Sequence, residues 1–443
     1  MLKCLIIGSG PAGCYIVEQL LKNYNDIFID IVDSLPHPFG LLRTGVAPDH
    51  TKIKALYNYF ENILTHPSVR FYGNVTIGKD IEFTEIITSY HAHFICTGSS
   101  NDNIIDESLS TKIYSGSKEV VQWYNGYSHL NKQFNPNNIG KNVSIIGMGN
   151  VALDIARIFL KPLDQLSKTE ISTDCIDMLQ KVNVDEVNIF ARRGPTQAKC
   201  TAKELEELLD LTTISVNINS SDLYLSKKDI VEHELSGSVE KKYNLFKRIV
   251  NTHTQSPKQK KLNLFFYSKY TSFEESLLTF EKTTLIGEAQ EQKAQGTGTY
   301  YSIESDYLIS CIGYKSQKIE PIVFDSIKHI FPNDHGKIAD SLHPNIYVCG
   351  WSKRGPSGVI GTNKRDAKET IETFKKHYSD IPIEKEDLCS ILLDKKISFF
   401  TLDDWKKLDK YEQETGQNLS KDRLKITKVE NIKKILNKLN VKP

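Results

Sequence analysis

The hexapeptide Gly8-Ser9-Gly10-Pro11-Ala12-Gly13 sits between a short apolar run, Lys3-Cys4-Leu5-Ile6-Ile7, and a segment of helical periodicity from Cys14 to Leu21. Strand, glycine turn and helix in that order constrain the fold strongly. The glycines permit a tight turn and close backbone approach, and the helix N-terminus offers unpaired N–H groups to a pyrophosphate. The same order returns at Gly147-Met148-Gly149-Asn150-Val151-Ala152, after Asn142-Val143-Ser144-Ile145-Ile146 and before a helical pattern running to Arg157. A chain with two such loops is equipped to hold two dinucleotides, which predicts an α/β architecture of two doubly wound, three-layer nucleotide-binding domains.

The two halves differ at the end of the next strand. Ile27-Phe28-Ile29-Asp30-Ile31-Val32 ends at Asp33, near the roughly 20-residue offset at which a carboxylate takes a ribose hydroxyl. Val187-Asn188-Ile189-Phe190-Ala191 instead runs into Arg192-Arg193-Gly194, with no acid at the ribose position. Elsewhere such a pair would read as ordinary solvated charge. Here, paired guanidiniums suit a 2′-phosphate, which a carboxylate would repel. The first site is therefore expected to take FAD and the second NADP(H).

Composition narrows the class. The chain has 443 residues, 39% hydrophobic, with a formal net charge of +1, enough for two cores and without the global field that nucleic acid or acidic lipid would attract. No apolar run approaches the roughly 18 residues of a membrane span, so any membrane association is at most peripheral. The first strand begins almost at Met1, leaving no visible room for a transit peptide in this numbering. The eight cysteines include no tight pair, which suits a reducing compartment, argues against bound zinc and excludes a disulfide reductase built on a redox-active C-x-x-C.

Five ordered segments resemble the adrenodoxin reductase family of FAD-dependent ferredoxin–NADP reductases. They are Pro36-His37-Pro38-Phe39-Gly40-Leu41-Leu42-Arg43-Thr44-Gly45-Val46-Ala47-Pro48-Asp49-His50, Trp123-Tyr124-Asn125-Gly126, Asn150 to Arg157, Arg192 to Gln197, and Cys349-Gly350-Trp351-Ser352-Lys353-Arg354-Gly355-Pro356-Ser357-Gly358-Val359-Ile360-Gly361-Thr362-Asn363. The resemblance covers nearly the whole chain and implies a glutathione-reductase-like double Rossmann fold. It assigns FAD to Gly8, Gly10, Ala12, Gly13, Asp33, Leu41, Val75, Trp351, Gly358, Val359 and Ile360. It assigns NADP to Gly147, Met148, Gly149, Asn150, Val151, Arg192, Arg193 and Glu204, with Gly358 also meeting the nicotinamide. Lys353 and Arg354, directly after Trp351, suggest an exposed rim there. His50 and Asp154 are implied to come together near the flavin, either as a proton relay or as a bridge between domains. Met148 stands where the family usually has Gln, and Asp33 where Glu is common.

The strand-to-glycine runs Phe94 to Gly98 and Leu308 to Gly313 mark where the chain crosses between domains. The expected plan is an FAD-binding domain at 1–103 and 317–443, the latter with C-terminal helices from Phe400 to Val441, and an inserted NADP-binding domain at 104–316. Within the insert, Leu262 to Tyr307 reads as antiparallel strands, with Glu288 to Thr299 as an exposed hairpin or mobile loop. Hydride would pass from NADPH to the flavin and electrons would leave singly, toward an acidic [2Fe–2S] ferredoxin. A basic face is expected for it, and Lys241-Lys242-Tyr243-Asn244-Leu245-Phe246-Lys247-Arg248 through Lys258-Gln259-Lys260-Lys261 carries no acid, although Glu206 stands where the family often has a docking arginine. The resemblance implies a mitochondrial monomer, with a cytoplasmic location as the alternative. A related flavoprotein acting on a small substrate or oxygen, and a nucleotide-binding sensor without turnover, are the other readings.

Overall fold

The computed structural model describes residues 1–106, 109, 114–130, 134–251, 259–339, 343–383 and 387–440, without the side chains of 52, 54, 232–235 and 440. Lys258 of the basic stretch and Val441 at the end of the last helix lie outside the described residues. The chain divides into two compact units, one of Met1–Val46, His50–Asn101 and Gly313–Pro443, the other of Ala47–Asp49 and Asp102–Ile312.

In the first unit, parallel strands Ile346–Val348, Ala92–Ile95, Leu2–Ile7, Ile27–Asp33 and Val69–Gly73 lie side by side, with the short antiparallel strands Asn333–Asp334 and Lys337–Ile338 at one edge. Alternate residues feed opposite faces. Cys4, Ile6, Ile29, Ile31 and Phe94 enter one core, while Leu5, Ile7, Val32 and Ile95 enter another. Both faces are covered, and so the strands read as largely apolar runs, interrupted at Lys3, Asp30, Arg70 and His93. Trp405, Leu408, Ile432 and Leu436, from the helices Leu402–Asn418 and Val429–Asn440, pack into the same core as Cys4 and Ile6.

The second unit centres on six parallel strands in the order Tyr114–Gly116, Tyr307–Ser310, Asn142–Ile146, Glu186–Phe190, Lys260–Phe265, Ile214–Ile218. One face packs on helices through Val143, Ile145, Val187 and Ile189. Against the other, Ile146, Phe190 and Leu308 meet Phe273, Leu278 and Phe280 of a three-stranded antiparallel sheet.

This corrects the expectation for 262–307. Lys260–Phe265 is parallel to its neighbours, since the helix Gly237–Asn251 precedes it as a crossover, and only Ser268–Glu274, Leu277–Ile286 and Lys293–Glu304 are antiparallel. At 288–299 the exposed hairpin is found and the loop is not: its turn spans 287–292, and Lys293 to Thr299 belongs to its second strand. It is an outer strand with both faces largely wet, so it needs no apolar alternation.

Candidate functional site

In each unit the strand carrying the glycine loop is flanked by the strand next in sequence on one side and by a later crossing strand on the other. That is a topological switch point, where the loops leaving the strands diverge and open a crevice. Gly8 (φ +104) and Gly147 (φ +112) turn the chain there, and a Cβ would lie 2.4 Å from Cys96 O at the first and 2.2 Å from Cys311 O at the second. A side chain at either position is excluded by both backbone conformation and space.

The helices after these turns are left unfinished at their N-termini. Pro11–Asn23 starts from Gly10 and Asn150–Leu160 from Gly149, each without a side-chain cap and without an acid in its first turn. By contrast, Ser172, Thr201 and Thr401 cap their helices with side-chain oxygens. First-turn amides need an acceptor. The backbone beside them is open: a Cβ on Gly10 would meet only Gly40 Cα at 3.9 Å, and one on Gly149 would meet nothing within 4 Å. These two cradles fit a pyrophosphate each.

Asp33 lies at the end of its strand and is buried. Its Oδ2 accepts from Ser9 N–H (2.8 Å) and Ser9 Oγ–H (2.6 Å), and its Oδ1 from Leu35 N–H (2.9 Å). Burial raises its carboxyl above the ordinary range, against these three donors. A carboxylate offers roughly four acceptor sites, so one direction remains after the loop is held. Val75 is buried beside it through Val75 N–H to Asp33 O (2.9 Å), while Leu41 is 40% exposed.

Gly350, at φ +76, starts the turn Trp351–Arg354, and a Cβ there would come 2.7 Å from Ala12 Cβ. The half-buried Trp351 ring stacks on Tyr314, with centroids 6.1 Å apart and planes at 19°, and its Nε1–H donates to Ser357 O (3.0 Å). Arg354 donates to Ser357 O (2.9 Å) and pairs with Asp366, fixing the loop before Gly358. Val359 is exposed, and its N–H donates to Thr362 Oγ1 (3.1 Å). The exposed rim expected at Lys353 is not found: that side chain is 9% exposed and pairs with Glu369. A short helix turns it inward.

In the second unit two loops are hydrogen-bonded into one surface. Met148 O accepts from Lys199 N–H (3.0 Å) and Cys200 N–H (3.1 Å), and Asn150 Oδ1 accepts from Thr201 N–H (2.8 Å). Met148's own side chain is buried in the core, which accounts for an apolar residue at that position. Arg192 is exposed, and Arg193 Nη1–H donates to Gln292 O (3.3 Å). Glu204 is 9% exposed, in the first turn of Ala202–Leu209.

His50 is buried and precedes the short helix Thr51–Lys54 in the first unit. Asp154, in the second, accepts from Arg157 Nη2–H (2.8 Å). Arg157 also grips Asp49 with two bonds, Nε–H to Oδ2 (2.8 Å) and Nη2–H to Oδ1 (2.9 Å), and Lys161 Nζ adds a third at 2.9 Å. Burial alone would raise the Asp49 carboxyl, but these cations outweigh it and hold it well below the ordinary range. Asp49, Arg157 and Tyr314 carry no individual signal in the sequence, because nothing in local spacing links them to their partners.

On the helix Gly237–Asn251, Lys241, Lys247 and Arg248 are exposed, whereas Lys242 is buried and donates to Thr196 O and Ala198 O. Lys242 is thus removed from the expected docking face: it holds a loop. Among the described residues no helix is long and apolar enough to cross a membrane, and no cluster of His, Cys, Asp and Glu could hold a metal ion.

No protein-family model matches the chain. It is 33% identical over 459 residues to an Arabidopsis thaliana protein named NADPH:adrenodoxin oxidoreductase, mitochondrial, covering 97% of this chain and 94% of that one. It is 32% identical over 457 residues to the Mycobacterium tuberculosis protein named NADPH-ferredoxin reductase FprA, covering 97% and 98%. The solved structure of M. tuberculosis FprA in complex with NADPH matches with a TM-score of 0.90 at 29% identity, over 98% of this chain and 99% of that one.

Proposed function

The chain belongs to the NADPH:adrenodoxin oxidoreductase family, and we propose that it is an FAD-dependent oxidoreductase carrying electrons from NADPH to a [2Fe–2S] ferredoxin. One observation carries the reading: two uncapped, glycine-turned helix N-termini at switch points, one followed by Asp33 and the other by Arg192 and Arg193. When bound, NADPH supplies a hydride to FAD, and the reduced flavin releases electrons one at a time.

The chain's own work is binding and orientation. Gly8, Gly10, Ala12 and Gly13 let the FAD pyrophosphate approach the first-turn amides. Asp33 holds Ser9 and offers its remaining acceptor direction to the ribose. Leu41, Val75, Trp351, Gly358, Val359 and Ile360 bound the rest of the flavin nucleotide, with Trp351 braced by Tyr314. Gly147, Met148, Gly149, Asn150 and Val151 take the NADP pyrophosphate, Arg192 and Arg193 its 2′-phosphate, and Glu204 a polar group further along; Gly358 also faces the nicotinamide. On this assignment the FAD-binding domain is 1–103 with 317–443, and the NADP-binding domain 104–316.

His50 and Asp154 are assigned to proton handling at the flavin. Arg157 Nη2–H donates to Asp154 Oδ1 and fixes the direction of that carboxylate. Lys241, Lys247 and Arg248 are proposed as ferredoxin contacts, with Glu206 altering partner choice relative to family members that carry arginine there. The protein acts as a monomer, touching a membrane at most peripherally and binding no nucleic acid. A mitochondrial location is the reading taken from the eukaryotic relatives, which are named mitochondrial, while the mycobacterial ones are not.

Anaerobic titration of the bound flavin tests the cofactor assignment. About one equivalent of NADPH should bleach it, with NADH needed in large excess. Equal reduction by both nucleotides would remove the role given to Arg192 and Arg193.

A further inference from the structure

The loop carrying Arg192 and Arg193 is anchored to the antiparallel sheet of Ser268–Glu274, Leu277–Ile286 and Lys293–Glu304. Ala191 O accepts from Ser268 N–H (2.9 Å), Arg192 O from Thr283 Oγ1–H (2.7 Å) and Arg193 O from Tyr267 N–H (3.2 Å). From the hairpin turn, Gln292 O accepts from Arg193 Nη1–H (3.3 Å), and Gln292 Oε1 accepts from Gln197 Nε2–H (2.9 Å), which also donates to Asp229 Oδ1 (2.8 Å). Three consecutive carbonyls and one guanidinium are thus set by a sheet that the nucleotide-binding fold itself does not require.

Packing and burial support a positioning role. Phe190, the residue before this loop, stacks between Phe265 (4.7 Å) and Phe280 (4.0 Å), and Phe280 stacks in turn on Tyr301 (5.5 Å). That column already holds the sheet on the parallel strands, so the polar bonds to 191–193 are not needed to keep it in place. Thr283 and Gln292 are 7% and 3% exposed, and water cannot readily replace a bond lost there. Discrimination for a 2′-phosphate needs two guanidiniums to converge on one point, and a long side chain on an unanchored loop loses more entropy on doing so.

We propose that the antiparallel sheet is the frame that aims Arg192 and Arg193, and that Thr283 and Gln292 are positioning residues which act through those arginines to set the preference for a 2′-phosphorylated nucleotide. The inference rests on the reading that these arginines take the 2′-phosphate. Thr283 is the informative site because, of the three carbonyl anchors, it alone donates from a side chain, and Thr283→Val keeps its shape while deleting that donor.

Calorimetric titration of the FAD-loaded protein with 2′,5′-ADP and with 5′-ADP separates the 2′-phosphate from the rest of the nucleotide without turnover. Wild type should favour 2′,5′-ADP. Thr283→Val should lose about tenfold of that preference with 5′-ADP affinity unchanged, Thr283→Ser should retain it, and Gln292→Met, which keeps the backbone acceptor for Arg193 but deletes the side-chain bond to Gln197 that holds that carbonyl in place, should reproduce the loss even if Thr283→Val folds poorly. If Arg192→Ala abolishes the preference while Thr283→Val and Gln292→Met leave it intact, or weaken both nucleotides equally, the frame is refuted and the arginine assignment stands. If Arg192→Ala leaves the preference intact, the arginine assignment falls and the frame with it.

Discussion

Replacing Arg157 by methionine is the sharpest test of how the second unit is held together. The guanidinium is 2% exposed and faces three carboxylates, Asp49 at 3%, Asp154 at 13% and, more distantly at 3.9 Å, Glu207 at 34%. Removing one partner of a buried ion pair typically costs roughly 3–5 kcal/mol, because a charge is left behind without its counter-ion. Lys161 remains on Asp49 at 2.9 Å, so the loss expected for Arg157→Met is about 3 kcal/mol, the lower end of that range. Adding Asp49→Asn removes the more deeply buried of the carboxylates left behind, while Lys161, 20% exposed, can turn to solvent, and should recover about half of the loss. Urea unfolding read through Trp123, in a Trp351→Phe/Trp405→Phe background, isolates this unit. The pH dependence carries a sign of its own. The folded Asp49 carboxyl is depressed, so its contribution is complete above the unfolded value of 3.8 and disappears as pH falls through the folded one. A loss under about 1 kcal/mol, or a double variant less stable than Arg157→Met alone, would refute the argument.

The geometry sets three further outcomes. Gly8→Ala should yield protein purified without flavin and Gly147→Ala a flavoprotein that NADPH reduces poorly, read by absorbance, because a Cβ would lie within 2.4 Å of a carbonyl at the first and 2.2 Å at the second; normal flavin content in Gly8→Ala would count against the first cradle. Burial pushes the Asp102 carboxyl up to about 6 despite donors from Ser117 and Lys118, so the folded state holds its proton more tightly and stability falls as pH rises from about 4 to 6. Asp102→Asn should flatten that slope, worth about 3 kcal/mol, in melting curves taken across the window; an unchanged slope would assign it elsewhere. Tyr314→Leu should alter flavin reduction through Trp351 while leaving flavin content intact, and identical reduction rates would remove the brace from the account.

The legible part of the sequence is local. Strand, glycine turn and helix occupy consecutive residues, and the acid or guanidinium pair comes at the end of the next strand, so spacing alone carries the information. Asp49 and Arg157 are 108 residues apart, and Thr283 and Arg192 are 91 apart; only the fold makes them neighbours. Lys353 reads as rim in sequence, yet its partner Glu369 comes from the next helix, Thr362–His377, and a lysine beside glycines otherwise signals solvent. Lys242 misleads for the same reason, its acceptors being carbonyls of a loop 46 and 44 residues earlier. The direction of Lys260–Phe265 is hidden because a six-residue strand, apolar only at Leu262, Leu264 and Phe265, pairs equally well in a parallel or an antiparallel ladder, and only the crossover that delivers it decides.

Electrons from NADPH leave this protein toward an iron–sulfur carrier. Cytochrome c reduction by the purified flavoprotein, with NADPH as donor and with or without a [2Fe–2S] ferredoxin, measures it directly. The rate should rise steeply with ferredoxin and stay low with NADH in place of NADPH. A flavin that NADPH reduces, but that gives no gain with any of several ferredoxins, would contradict it and favour a flavoprotein acting on a small substrate.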